Sequence, residues 1–354
     1  MQKAIYFMPD ISGFTKFVNN TELEHGIHII SELLELLIDH TAKDLQLAEI
    51  EGDSLFMFSS KIPNYQQLVA KTTKMLEAFH THTRSYESKR ICNCGSCKTT
   101  TNLELKFLVH YGDLAFMKVK DFVKPFGSDV IKIHRLLKNN VPVNEYMLFT
   151  HAAFKLYEDQ LDETWIKKSD SFDFGNINYF YKNLENLIKI NQPQIEGSEK
   201  ENLEGAFPSL NLKSTFDANI HSIHTYLREL KYRHLWDKDV KRMDFDSHKV
   251  NRVGTQHNCV ISFQNFKFET LGSNSVDTLM YGEATKDMMF TKNYSYQIRL
   301  NEIENNSTSV ELSVFLEFTT LGALMKAFVI KMLTKTWKNK LENLNKLSKI
   351  NPIS

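Results

Sequence analysis

Cysteine is scarce in this 354-residue chain: there are four, three of them within residues 92–97 and one far off at Cys259. Such a set makes no even disulfide framework, which excludes a small bridge-held secreted scaffold and points to a reducing compartment. An excess of either charge is missing as well, since Lys plus Arg and Asp plus Glu are each 43. A net charge of zero supplies no general attraction to nucleic acid or to an acidic membrane. Runs of 18 apolar residues are absent too, so no membrane-spanning helix is expected. The first strand pattern begins within four residues, which leaves no room for a secretory leader, and a cytoplasmic protein is expected.

What the chain does have is a pair of acidic corners. Ala4-Ile-Tyr-Phe-Met8 reads as a short buried strand closed by Pro9, and it delivers Asp10 to a turn built on Ser12 and Gly13. Gly13 lets the backbone bend so that the amides near Phe14 and Thr15 can face an anion while Asp10 holds a cation. The second corner, Gly52-Asp53, sits at a hairpin tip between the strand-like runs 48–51 and 54–58. Two carboxylates meet if the first strand lies beside that hairpin.

Between the corners, Ile27, Ile30, Leu33, Leu34, Leu37 and Ile38 recur at helical spacing with Glu and His on the other face, which predicts a helix over about 25–43. A second helix is expected over 65–83. Cys92, Cys94 and Cys97 follow as Cys-x-Cys-x-x-Cys, with His80 and His82 shortly before them. Three thiolates and one imidazole would complete a structural zinc site; three reduced thiols in a surface loop are the alternative. Beyond lie a strand over 103–110 with a turn at Gly112, a helix over 130–138 and a terminal hairpin around Gly175-Asn176. Strands and helices mix in the manner of an α+β layer.

Asp10-Ile-Ser-Gly-Phe-Thr15 followed by Glu49-x-x-x-Asp53 resembles, in order and spacing, the two metal motifs of class III adenylate and guanylate cyclases. Leu108–Ala115 resembles that family's next core strand, and Phe126–Arg135 the stretch ending in its Asn-x-x-x-Arg helix. The resemblance covers roughly residues 1–185 and implies a ferredoxin-like cyclase fold over 1–187, working as a homodimer on a nucleoside triphosphate. It implies that Asp10, Asp53 and the Ile11 carbonyl hold two Mg²⁺ or Mn²⁺ ions, that Gly13, Phe14 and Thr15 face phosphate, and that Glu49 with Lys124 reads the base. Arg135 falls at the family's transition-state arginine and is the expected catalytic residue. The chain departs from the pattern at Ile131, which replaces the asparagine, and at Phe172 and Phe174, where a phosphate-binding lysine is expected. Losing a donor aimed at developing charge costs about 100- to 1,000-fold. A nucleotidyl cyclase with an incomplete catalytic set and a non-catalytic nucleotide sensor or dimerisation module are therefore the two readings.

Residues 188–209 turn polar around Pro193, Gly197, Gly205 and Pro208 and read as a linker. After it come a strand over 210–216, a helix over 220–232, several strands over 250–318 and one long helix over 321–347. That order, with Trp236 and Gly254, resembles the START-like (SRPBCC) helix-grip fold, which implies an apolar cavity under the last helix for an apolar small molecule, over 210–354. Leu324, Phe328, Ile330, Met332, Leu333, Trp337 and Leu341 are expected to face inward.

Overall fold

The computed structural model describes residues 2–19, 23–41, 45–190, 207–272, 279–303 and 306–353. Most of the linker expected over 188–209 lies outside them. The chain divides into two compact units, Met1–Ser85 with Cys94–Ile195, and Tyr86–Asn93 with Glu196–Ser354. Both are mixtures of strands and helices. Among the described residues no helix is long and apolar enough to cross a membrane.

The strands of the first unit are β1 (Gln2–Ser12), β2 (Gln46–Glu51), β3 (Ser54–Ser59), β4 (Glu104–Val119), β5 (Phe122–Phe126), β6 (Tyr146–Thr150), β7 (Ile166–Phe172) and β8 (Gly175–Asn183). Its helices are α1 (Phe14–Asn19), α2 (Leu23–Asp39), α3 (Tyr65–Lys89), α4 (Gly95–Thr99), α5 (Ser128–Leu136), α6 (His151–Leu156) and α7 (Glu185–Ile190). They build a sheet of order β2-β3-β1-β4-β6-β8-β7, with β5 folded back on β4. β1 lies inside the sheet and is buried from Ala4 to Ile11, which explains its unbroken apolar run. It runs antiparallel to both neighbours, β3 and β4, and this register sets Asp10 opposite Ser54 on one side and Lys106 on the other. Gly112 is not the turn its sequence suggests: β4 continues through it to Val119. A Cβ there would come within 2.5 Å of the Asp129 carboxyl, so the glycine serves a close approach instead.

The second unit contains β9 (Leu210–Phe216), β10 (Val240–Asp244), β11 (Gln256–Ile261), β12 (Gln264–Leu271), β13 (Leu279–Thr285), β14 (Thr291–Ile303) and β15 (Ser307–Phe318). They form an antiparallel sheet of order β10-β11-β12-β13-β14-β15-β9. Its helices are α8 (Ile220–Arg228), α9 (Arg233–Trp236), α10 (Thr320–Leu324) and α11 (Lys326–Ile350). The long last helix is thus broken at Met325, just after Gly322, where a Cβ would collide with the Phe290 carbonyl. Leu333, Trp337 and Leu341 of the expected face are buried, joined by Val329, whereas Leu324, Phe328 and Met332, before and just after the break, are exposed.

Trp337 donates to the Tyr294 hydroxyl at 3.0 Å and packs on Tyr296, so α11 is anchored to β14. Around that anchor the interior is charged rather than purely apolar, with Arg233, Glu283, His257 and Asp237 all buried. His224 on α8 is buried too, and loss of hydration pushes its imidazole down to about 3. An unfolded chain takes up that proton near pH 6.5 and the native one does not, so stability is lost as pH falls from about 6.5 towards 3. One proton corresponds to about 1.4 kcal/mol per pH unit over that window. Denaturant titrations of His224→Leu against wild type are expected to show this slope reduced by one proton; an unchanged slope contradicts the assignment.

Candidate functional site

The two acidic corners are joined through the backbone before any side chain is considered. The Ile11 amide donates to the Asp53 carbonyl at 3.1 Å, and Gly52, at φ +62°, closes the hairpin in a conformation that side-chain-bearing residues disfavour. Gly13, at φ +87°, turns the chain from β1 into α1. The Asp10 carboxylate is buried and Asp53 is half-buried. Burial, then the negative charge of Asp10, pushes Asp53 up to about 6. Asp10 is also raised by burial, with Lys106 opposing the rise. Two desolvated carboxylates that repel one another form a site short of positive charge, and a divalent cation would relieve both costs.

Lys106 supplies part of that charge. Its Nζ lies 2.8 Å from Asp10 Oδ2 and donates to the Leu137 carbonyl at 3.2 Å, so it links the first corner to the C-terminal end of α5. The sequence reading missed this lysine, because only the β1–β4 register identifies it as Asp10's neighbour.

An apolar groove of about 550 Å³ adjoins the corner, lined by Phe14, Ile27, Ile30, Leu34, Ile50 and Gly52 among others. Of these, Ile27 and Ile50 are more than half exposed. Thr15 stands in α1 beside Phe14.

The expected base-reading pair does come together: Lys124 Nζ lies 3.5 Å from Glu49 Oε2, both well exposed. Arg135 instead directs its guanidinium to Asp173 in the β7–β8 turn, at 3.1 Å. Ile131 is half exposed, and Phe172 and Phe174 stack on one another at 5.9 Å. The neighbour of Arg135, His134, reaches Glu51 at 2.8 Å and packs its ring edge on Phe56, which ties α5 to the β2–β3 hairpin. Asp129 at the start of α5 would be raised by burial, yet hydrogen bonds from Lys132, the Asp113 amide and His110 bring it down to about 2. It therefore stays ionised and fixes α5 against β4.

The cysteine segment closes on a histidine other than those expected. His80 pairs with Glu145 at 2.5 Å and His82 with Glu32 at 2.9 Å. The imidazole beside the thiols is His25 of α2, whose Nδ1 lies 3.3 Å from Cys94 Sγ and 3.6 Å from Cys97 Sγ. Cys92, two residues before Cys94, is kept close by the chain itself, and the four ligand atoms lie within 4.8 Å of one another, a group able to hold a metal ion.

Residues 30–146 match the family described as "Protein of unknown function (DUF2652)". The chain is similar to the "Uncharacterized protein Rv2561/Rv2562" of Mycobacterium tuberculosis, at 35% identity over 132 residues, 37% of this chain and 62% of that protein. It thus spans about three-fifths of the length of the curated relative it matches. Among solved structures it is similar to the guanylate cyclase domain of RhGC from Catenaria anguillulae in complex with GTP, at 11% identity and a TM-score of 0.37, over 51% of this chain and 95% of that one. The adenylyl cyclase CyaB from P. aeruginosa is similar at 16% identity and a TM-score of 0.36, over 51% and 93%.

Proposed function

We propose that residues 1–187 form a class III cyclase-like module that binds a nucleoside triphosphate together with Mg²⁺ or Mn²⁺, and that binding outstrips turnover. The observation that carries this reading is the joining of the two corners, the buried Asp10 and the half-buried Asp53, through the hydrogen bond from the Ile11 amide to the Asp53 carbonyl at 3.1 Å. Asp10, Asp53 and the Ile11 carbonyl would hold the cations, and the metal when bound would polarise phosphate oxygens as a Lewis acid. Gly13, Phe14 and Thr15 line the approach for the phosphates, and Glu49 with Lys124 the approach for the base.

Turnover is weak on this reading because Ile131 offers the ribose no hydrogen bond and Arg135 is engaged by Asp173. The exposed apolar residues Phe116, Val119, Phe122, Val123, Phe126 and Ile131, on β4, β5 and α5, give the module a face for a second copy. A partner docked there would bring its own Arg135 towards the carboxylates. The second unit, START-like in the order of its elements, is assigned a stabilising rather than a ligand-holding interior, since charged and aromatic side chains occupy it.

The test is incubation of the full chain with each nucleoside triphosphate and Mn²⁺, with binding followed by calorimetry, cyclic product by mass spectrometry and association by sedimentation. The expected result is cation-dependent binding by a dimer, with product formed at least about 100-fold more slowly than by a complete site. Absence of both nucleotide and cation binding overturns the proposal.

A further inference from the structure

We propose that His25, Cys92, Cys94 and Cys97 bind one zinc ion in a closed tetrahedral Cys₃His site that fixes the helix following the Asp10 corner. The spacing of the atoms carries the argument. With Zn–S near 2.3 Å and Zn–N near 2.0–2.1 Å, the edges of a tetrahedron around zinc are about 3.5–3.8 Å long. The Nδ1–Sγ separations of 3.3 and 3.6 Å from His25 to Cys94 and Cys97 are close to that edge. All four ligand atoms fall within 4.8 Å of one another, which leaves a centre that each can reach.

The surroundings also suit a metal thiolate. Cys92, Cys97 and His25 are buried and Cys94 is half-buried, so the ion would be shielded from solvent. The Cys97 amide points at Cys94 Sγ from 3.4 Å, and such N–H···S contacts stabilise the charge on a coordinated sulfur. Gly95 begins α4 between the second and third thiols, where the chain must reverse within a few residues for both to face one point. Four protein ligands leave no open position, which makes the site structural and not catalytic.

Its placement gives it a task. α2 follows β1 by way of α1, and α4 precedes β4, so one ion would join what comes after Asp10 to what comes before Lys106. The two strands whose register sets Asp10 against Lys106 would thus be fastened at the same end. The site stands apart from the nucleotide reading, because zinc content is measured with no nucleotide present.

The full chain, purified reduced and without chelator, is expected to carry one zinc per molecule by elemental analysis. Replacement by Co²⁺ is expected to give the thiolate charge-transfer and intense visible bands of a tetrahedral sulfur-rich site. His80→Ala and His82→Ala should keep the ion, Cys97→Ser should lose it on dialysis against a weak chelator, and His25→Cys should keep it with a stronger charge-transfer band. The cobalt spectrum of the wild-type chain settles the matter even where a variant fails to fold. Reduced wild-type protein with neither zinc nor cobalt bands overturns the proposal, as does a cobalt spectrum unaltered by His25→Cys.

Discussion

Replacing Arg233 by Met is expected to destabilise the second unit by about 3–5 kcal/mol, the usual cost of stranding one partner of a buried ion pair. Arg233 and Glu283 are both buried, and their side chains are in direct contact. Glu283 also accepts from the Tyr281 hydroxyl at 2.5 Å and the Tyr296 hydroxyl at 2.7 Å, with His257 Nε2 at 3.3 Å. Burial alone would raise this carboxyl; the charge of Arg233, then His257, holds it well below the usual carboxylate range. Removing the guanidinium leaves that carboxylate with hydroxyl donors but no full counter-charge, and the Tyr296 oxygen loses a donor at 3.1 Å.

The double variant Arg233→Met/Glu283→Leu removes both charges. It should recover much of the loss, because two desolvated ions are then replaced by apolar side chains of similar size. Urea denaturation of the two single variants and the double gives the coupling energy directly. Additive losses would mean that the pair is held by surrounding packing and not by mutual attraction. Glu283 also has a sign in pH: its folded value lies below its unfolded one, so its contribution is present above about pH 4.5 and disappears on acidification. His224 loses stability over a window that begins higher, near 6.5, and the two can therefore be told apart in one titration.

The parts of this structure that were legible in the sequence are those fixed by local chemistry. β1, the β2–β3 hairpin and the Gly13 and Gly52 bends follow from apolar runs interrupted by glycine, and they bring Asp10 and Asp53 into one neighbourhood. What escaped were residues whose role depends on a neighbour distant in sequence. Lys106 has no motif of its own and acquires one only when β4 pairs with β1. Gly112 looks like a turn because a glycine that relieves a close approach and one that bends the chain are the same letter. The histidines are the sharpest case. Helical spacing put the polar face of α2 in solvent, yet His25 and Glu32 are buried there, against Cys94 and Cys97 for the first and His82 for the second. Polar residues fall on a buried face when their partners arrive from another element, and amphipathic spacing carries no information about that. At α11 the opposite holds: apolar periodicity runs on unbroken through Met325 in the sequence, whereas the helix is interrupted there, so Leu324, Phe328 and Met332 face outward.

Cation affinity at the Asp10 corner is expected to fall about tenfold per pH unit below pH 6, and Asp53→Asn is expected to weaken Mn²⁺ binding at neutral pH by more than about 100-fold. The pH dependence follows from Asp53 being pushed up to about 6, since below that value an incoming cation must first displace a proton. The sign of the linkage with folding is fixed by the same shift. A folded value above the unfolded one means that native protein holds the extra proton between about pH 4 and 6, so without metal the fold weakens as pH rises through that window. A bound cation reverses the trend by replacing the proton with a stronger positive charge.

Lys106 decides how many protons take part. It opposes the rise that burial gives Asp10, while Asp53, pushed up to about 6, releases a proton as the cation enters. Lys106→Met removes the charge 2.8 Å from Asp10 Oδ2 and lets Asp10 rise as well. Asp10 should then release more proton on binding than it does in wild type, and the slope of log affinity against pH should steepen. Mn²⁺ titrations followed by paramagnetic resonance of the free ion, from pH 5 to 8, measure that slope. An affinity independent of pH in wild type would show that Asp53 is not a ligand. An unchanged slope in the lysine variant would show that Asp10 and the cation do not share the corner.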